Sequence, residues 1–308
     1  MKKICYGISI AAILVFLFFC PTQALTASRA GLHLWFDTLL PTLLPFMILS
    51  NILIRADLVR PLVSILAPFS HRLLLLSPGG TYAMLMGFLC GCPMGAKTVS
   101  DLRIREQISQ EEAEYLMGFC NNISPSFIIT FLVMEQLRRP ALLLPTLLIL
   151  YGAPLLYGAL TNPAYRRACH RQNLSTCSIQ NTPKEVLCFG MVDSCILDGV
   201  ITIVKLGGYI MLFAILSGVF QALPLSLPAK ALLTAIAEIT NGIPAILHTF
   251  SFPKSYFLLV ILVSFGGLSA IAQTDSVIKS AHLPLGKYVR SKLLISFLSF
   301  LLVLCFLA

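Results

Sequence analysis

The sequence predicts an all-α polytopic membrane protein, built as an inverted repeat with two re-entrant hairpins and broken helices. Hydrophobic residues make up 57% of the 308 residues and charged residues only 11%, and the mean hydropathy is +0.87. A soluble core does not need that much apolar surface, so most of it is expected to face lipid. The apolar runs are continuous rather than alternating, which favours helices over a membrane barrel.

Composition divides the chain into four segments. The first is interpreted as a membrane anchor, with a signal peptide as the alternative, because Lys2 and Lys3 precede a long apolar run. The same two lysines predict a cytoplasmic N-terminus. The segments are the anchor at 1–26, a first Gate-type repeat at 27–160, a polar basic loop at 161–188 and a second Gate-type repeat at 189–308.

Three short motifs recur in the same order in the two halves, which indicates a duplication. "FMILSNIL" from Phe46 returns as "FAILSGVF" from Phe213, "CPMGA" as "NGIPA", and "GFCNNIS" as "SFGGLS". The distribution of basic residues predicts opposite directions for corresponding segments. The expected topology is therefore six spans and two re-entrant hairpins in addition to the anchor.

Breaks in four apolar runs predict a binding site. Pro93, Pro125 and Pro244 are each expected to open a half-helix, and Gly266 with Gly267 forms the fourth break. Unpaired backbone groups are costly in hydrocarbon, so such breaks survive only inside protein or beside a wet cavity. Half-helix N-termini suit an anionic or carbonyl-rich ligand. The alternative is that each break is a packing kink.

Residues at or beside these breaks are the candidates for substrate binding. Glu238 is the most informative, because an unpaired carboxylate in an apolar run is costly. It is expected to take up a coupling proton, to coordinate a cation, or to brace the hairpin against a backbone N–H. The candidates are Pro93, Gly95, Asn121, Asn122, Ser124, Glu238, Thr240, Asn241, Ser269 and Gln273.

Four motifs in order, "GCPMGAK", "GFCNNISPSFI", "EITNG" and "SFGGLSAIAQ", resemble the nucleoside-recognition (Gate) domain family. They are most similar to its branch of sporulation integral membrane proteins, and the resemblance runs from Leu32 to the C-terminus. It implies a fold similar to concentrative nucleoside transporters and a role at membranes around the developing spore. It also implies movement of a small anion, dipicolinate. The positions carried over are Pro93, Gly95, Asn121, Ser124, Glu238, Asn241, Gly267, Ser269 and Gln273.

The expected function is sporulation-associated transport of a small organic anion through a site at the bilayer midplane. A nucleoside transporter and a non-transporting scaffold or assembly protein of the spore envelope are the alternatives. The expected location is the cell membrane or a spore-surrounding membrane of a bacterium. The expected partners are the small-molecule substrate and the lipid bilayer. Homo-oligomerisation and coupling to Na⁺ or H⁺ stay open, and no cofactor is expected.

Other classes are disfavoured by charge and motif. The net charge of +9 is spread over loops, so lipid headgroups suit it better than nucleic acid. One such basic loop, containing Lys279, Lys287, Arg290 and Lys292, is expected before the last span. The spacing of the ten cysteines fits no standard metal pattern, so no metal site is expected. No nucleophile–base pair or H-E-x-x-H motif indicates an enzyme.

Overall fold

The computed structural model describes residues 2–56, 58, 60–171 and 188–307, and this part of the chain is almost entirely helical. Two segments are π-helical, Leu34–Leu39 and Phe127–Leu137. The α-helices are α1 Lys2–Phe19, α2 Pro21–His33, α3 Leu40–Arg55, α4 Arg60–Leu74, α5 Pro78–Cys90, α6 Met94–Ile104, α7 Gln110–Met117, α8 Leu143–Arg171, α9 Phe189–Ala222, α10 Leu227–Ala237, α11 Ile239–Thr249, α12 Lys254–Phe265, α13 Gly267–Ile278 and α14 Leu285–Leu307.

Length and composition identify the segments able to cross a membrane. Within the described residues, four are long and apolar enough: Pro140–Ala168, Phe189–Ala222, Lys254–Ala281 and Leu285–Phe306. Two further helix pairs are sharply bent. The bend is 120° between Ile13–Phe19 and Pro21–Leu39, and 101° between Val63–Leu74 and Pro78–Cys90. Counting each bent pair as one span gives six, so the prediction of an all-helical membrane protein is confirmed.

Helices α5 and α6 form the first helical hairpin. The Ser77 hydroxyl accepts a hydrogen bond from the Gly80 N–H at 3.0 Å, and Pro78 occupies the first turn, so α5 begins with a favourable cap. Gly91 ends the helix with a φ of +77°, a conformation that favours glycine. A Cβ at Gly87 would lie 1.8 Å from the Cys120 carbonyl oxygen. The hairpin therefore packs directly against the backbone that follows α7.

The second hairpin consists of α10 and α11, with Glu238 as the one residue between them. The two helices approach closely at Gly242, where a Cβ would lie 2.2 Å from the Ala235 Cα. Pro244 lies inside α11. The prediction that Pro244 opens this half-helix was wrong, because the Glu238 side chain caps the helix at Ile239, one turn earlier.

Two helices are interrupted, as the sequence predicted. After α7, residues 118–124 leave the helix, and helical structure resumes at Pro125. Proline at this position costs no hydrogen bond, because the first N–H groups of a helix have no intrahelical acceptor. Helix α12 ends at Gly266 in the left-handed conformation, with a φ of +85°, and α13 starts at Gly267.

The long helix α9 packs against α2 and α3 and connects the second half of the chain to the first. The Trp35 indole N–H donates to the Ile203 carbonyl oxygen at 2.8 Å. Further along, Arg55 and Asp198 form an ion pair at 2.5 Å. The polar residues near the start of α9 thus have a structural use at the edge of this interface.

The two largest clusters of buried apolar side chains each combine residues from both halves. The first joins Phe131 with Ile243 and Tyr256. The second joins Phe119 with Tyr288. Burial of apolar surface is the main stabilising contribution to folding, so the halves stabilise one another rather than folding as separate units.

Some boundaries differ from those expected. Helix α8 continues past Thr161 to Arg171, so the segment interpreted as a polar loop begins as helix, and residues 172–187 lie outside the described residues. Helix α2 crosses the proposed limit between anchor and first repeat at residue 26. Helical periodicity persists at both places because charged and small residues are tolerated where a helix leaves the apolar layer.

Candidate functional site

One cavity lies where the four breaks meet. The breaks are residues 91–93, residues 118–124, Glu238 and Gly266. The cavity has an empty volume of about 550 Å³, which includes space open to the surroundings. Each break, or the helix that follows it, contributes polar side chains or a thiol to the wall: Cys92, Ser124, Glu238, Thr240, Ser269 and Gln273.

Apolar side chains complete the lining of this cavity. Most come from the helices around the breaks, and one, Ile123, comes from the second break itself. They are Leu39, Leu43, Ile123, Phe127, Leu206, Ile239 and Ala270. A wall that is partly apolar and partly polar can bury a ring or hydrocarbon body while hydrogen-bonding its substituents. The wall of the cavity thus combines apolar side chains with groups able to form hydrogen bonds.

Asn121 links three helices instead of facing the cavity. Its amide nitrogen donates to the Thr274 hydroxyl of α13 at 2.9 Å and to the Tyr288 hydroxyl of α14 at 3.1 Å. Its amide oxygen accepts from the Ala96 N–H of α6 at 3.3 Å. Asn121 is 1% exposed, so these bonds replace the water it would otherwise bind.

Asn122 is also buried and makes different contacts. Its amide nitrogen donates to the Phe119 carbonyl oxygen at 2.6 Å, and its amide oxygen accepts from the Lys292 ammonium at 3.3 Å. Its backbone carbonyl accepts from the Cys92 N–H at 2.6 Å. The second break is thereby fixed both to the first hairpin and to α14.

Glu238 is the N-cap of α11. Its carboxylate accepts from the Thr240 N–H at 2.9 Å, from the Asn241 N–H at 2.8 Å and from the Asn241 side-chain amide at 2.9 Å, and it also accepts from the Thr240 hydroxyl. A carboxylate at a helix N-terminus is favoured by the helix dipole and satisfies otherwise free N–H groups. The N-terminus of α11 is thus already occupied, which favours the bracing interpretation of Glu238.

The N-terminus of α13 is different. No side chain among the described residues caps its first turn, and Gly266, Ser269 and Ala270 from this turn line the cavity. One turn further, the Gln273 amide donates to the Ser269 hydroxyl at 3.2 Å. Ser269, whose N–H group has no acceptor within the helix, therefore brings part of this turn to the cavity wall. Gly267 lies beside the second hairpin, where a Cβ would be 3.3 Å from the Ile236 carbonyl oxygen.

Pro93 and Gly95 shape the first hairpin rather than the cavity wall. Pro93 is the N-cap residue of α6. A Cβ at Gly95 would lie 2.5 Å from the Cys120 carbonyl oxygen and 2.9 Å from the Gly87 Cα. Both residues permit close packing of helices, which is the alternative that the sequence left open for the breaks.

The structure brings half of the sequence-predicted site residues to the cavity wall. Those that line it are Ser124, Glu238, Thr240, Ser269 and Gln273. The other five do not line it and instead pack or hold the breaks in position: Pro93, Gly95, Asn121, Asn122 and Asn241. No group of three or more His, Cys, Asp or Glu within the described ranges is placed to hold a metal ion.

Three residues of the region were missed by the sequence reasoning. Cys92 lines the cavity, although a thiol in an apolar run gives no signal of its own. Thr274 pairs with Asn121 across the halves. Lys292, placed by the sequence in a basic loop, is instead buried in α14 with 5% exposure. Its place directly before the largely apolar residues 293–304 was the available signal, since a charge there needs a partner.

The chain is a distant homologue of the sporulation integral membrane protein YlbJ of Bacillus subtilis (strain 168). The two are 24% identical over 311 residues, covering 89% of this chain and 75% of that protein. This protein is thus an integral membrane protein related to a sporulation membrane protein. No family model matches the chain, and no solved structure matches it. Membership of the Gate domain family stays a prediction.

Proposed function

We propose that this protein is a sporulation-associated transporter for a small organic anion, bound in the cavity among the four breaks. The observation that carries the proposal is the uncapped first turn of α13 at the cavity wall. Such a turn presents backbone N–H groups and a partial positive charge, which together favour a carboxylate or another small anion. Ser124 and Ser269 add hydroxyl groups beside it.

The apolar part of the cavity restricts the anion further. Leu39, Leu43 and Phe127 offer an apolar surface for a ring or hydrocarbon body. An inorganic anion has no apolar part that could pack against such a surface. An aromatic carboxylate such as dipicolinate combines both features. A nucleoside, which is uncharged, uses the hydroxyl and amide groups but gains little from the helix dipole.

The order of elements supports an inverted repeat. In each half a hairpin is followed by a broken helix and then by a long span: α5 and α6, the interrupted helix after α7, and α8 in the first half. The second half has α10 and α11, α12 and α13, and α14. Such repeats place the substrate site at their interface and alternate access by moving one part against the other. We propose the same arrangement here, with a cytoplasmic N-terminus.

The relative's role supports the cellular context. The relative is a sporulation integral membrane protein, and we propose that this chain acts in the cell membrane or in a membrane surrounding the spore. Cysteine labelling from either side of the membrane tests the orientation. A cysteine introduced in place of Lys97, which is exposed, should be labelled from the cytoplasmic side only.

Transport is tested by flux into liposomes that contain the purified protein. Radiolabelled dipicolinate should enter faster than into protein-free liposomes, and a sodium or proton gradient identifies the coupling ion. Labelled uridine in parallel liposomes tests the nucleoside alternative. Absence of flux for both compounds, with a folded and correctly inserted protein, would contradict transport and favour the scaffold alternative.

A further inference from the structure

Lys292 occupies an unusual place for a lysine. It lies in the membrane-spanning segment Leu285–Phe306 and is 5% exposed. Lysines near the ends of spans normally extend their ammonium groups to the lipid headgroups. Lys292 instead points into the protein, where its ammonium donates to the Asn122 amide oxygen at 3.3 Å.

The contacts of Lys292 do not balance its charge. Its ammonium also lies 5.8 Å from the centre of the Tyr288 ring, a distance at which a cation–π attraction is weak but real. In the described part of the chain no carboxylate forms an ion pair with it. An ammonium group has three donors, and Asn122 accepts one of them. A charge kept at such a place in a membrane protein indicates a functional partner.

A second, smaller cavity adjoins this ammonium. Its empty volume, which includes space open to the surroundings, is about 220 Å³, and Asn122, Ile123, Ser264 and Lys292 are among the residues that line it. Ile123 lines the larger cavity as well. Ile123 of the second break therefore borders both spaces.

We propose that Lys292 and this smaller cavity form an anion subsite that receives a carboxylate group of the transported molecule. This inference rests on the proposed function. It deepens that function by naming the Lys292 ammonium as the positive charge that pairs with the carboxylate of the substrate. Asn122 positions the ammonium at the second break, and the carboxylate would provide the missing counter-charge. A charge-assisted bond of this kind is stronger than one between neutral groups.

Binding is measured as the ligand concentration that raises the thermal unfolding midpoint of the purified, full-length protein. The probes are dipicolinate and its uncharged diamide. Wild-type protein should bind the dicarboxylate and not the diamide, and Lys292→Gln should weaken dicarboxylate binding at least about tenfold. Arg290→Gln is the matched control, because it removes one positive charge from the same helix at an exposed position. It should bind like wild type.

A second pair of variants covers the case in which Lys292→Gln does not fold. Ser264→Asp places a carboxylate in the same cavity, where it should pair with the Lys292 ammonium. Dicarboxylate binding should then be weakened as in Lys292→Gln. Ser264→Ala is its control, since both variants lose the 2.8 Å bond from Ser264 to Ser299. Unchanged affinity in Lys292→Gln or in Ser264→Asp would overturn the subsite.

The two proposals fail in different ways. If the wild type transports and binds dipicolinate but Lys292→Gln does so equally well, the subsite is wrong and the transport proposal stands. If the wild type binds the dicarboxylate through Lys292 but gives no flux, the subsite stands and transport is wrong. If the wild type binds neither probe, both are overturned.

Discussion

The side-chain amide of Asn121 donates to the Thr274 hydroxyl at 2.9 Å, and this bond joins the second break to the helix that follows the fourth. The two residues are far apart in the chain and belong to different halves. Thr274 also donates to the Ala270 carbonyl oxygen within its own helix, at 2.8 Å. Its hydroxyl thus fixes the broken helix of one half to the uncapped half-helix of the other, beside the cavity.

Replacing Thr274 should loosen this connection. Thr274→Val keeps the shape of the side chain but leaves the Asn121 amide without one acceptor, a loss of about 1 kcal/mol in the free energy of unfolding. Thr98→Val is the matched control, because Thr98 makes the same bond within its helix, to Met94, and has no partner in the other half among the described residues. Equilibrium unfolding in mixed detergent measures both. Equal losses would contradict a role for the Asn121 bond.

Glu112 lies outside the candidate membrane spans, and it should make the stability of the fold depend on pH. It is buried and accepts from the Ser77 N–H at 2.7 Å. Burial raises the pKa of its carboxyl group, an effect that the Ser77 bonds and His71 oppose. A carboxyl whose pKa is higher in the folded state adds stability at low pH, and that stability is lost as the pH rises through the folded pKa.

Glu112→Gln keeps an acceptor for Ser77 but removes this titration. From pH 4 upward, the wild type should lose stability relative to the variant, so that the difference between their unfolding midpoints changes with pH. Glu111→Gln, one residue earlier and more exposed, removes a carboxyl group from the same helix and is the control variant. A constant difference between wild type and Glu112→Gln would contradict the prediction.

The sequence predicted an all-helical chain with several apolar spans, and most of the breaks, because each has a local cause. Apolar length sets the spans, and Pro125 and Gly266 mark their breaks through backbone properties that no other residue shares. The same backbone property of proline led to the wrong prediction that α11 begins at Pro244. A proline is tolerated within the first turns of a helix, and the actual start was set by the Glu238 cap, which depends on side-chain geometry.

The candidate site was predicted only in part, because facing a cavity depends on how helices pack. Ser124 and Ser269 line the cavity, whereas the neighbouring Asn121 and Asn122 turn into the protein to bind Thr274 and Lys292. Composition alone does not separate these two outcomes. The partners lie about 150 or more residues away in sequence, and such pairings are set by tertiary structure.

Glu238 should act mainly as a structural cap. Glu238→Ala leaves the first N–H groups of α11 unpaired and should lower the free energy of unfolding by about 1–2 kcal/mol. Ser109→Ala is a comparison at another N-cap, where the hydroxyl accepts from the Glu112 N–H at 3.1 Å. Glu238→Gln retains one acceptor and should keep flux under a proton gradient. Loss of proton-driven flux in a stable Glu238→Gln variant would instead indicate that Glu238 carries the coupling proton.

Ser269→Asp tests the free N-terminus of α13 most directly. Ser269 lies in the first turn, where an aspartate can accept from the unpaired N–H groups and benefit from the helix dipole. The variant should therefore keep or gain stability while binding dipicolinate about tenfold or more weakly, because the new carboxylate occupies the anion's place. Ser276→Asp, on the same helix but exposed and outside the cavity, should bind like wild type. Unchanged affinity in Ser269→Asp would remove α13 from the site.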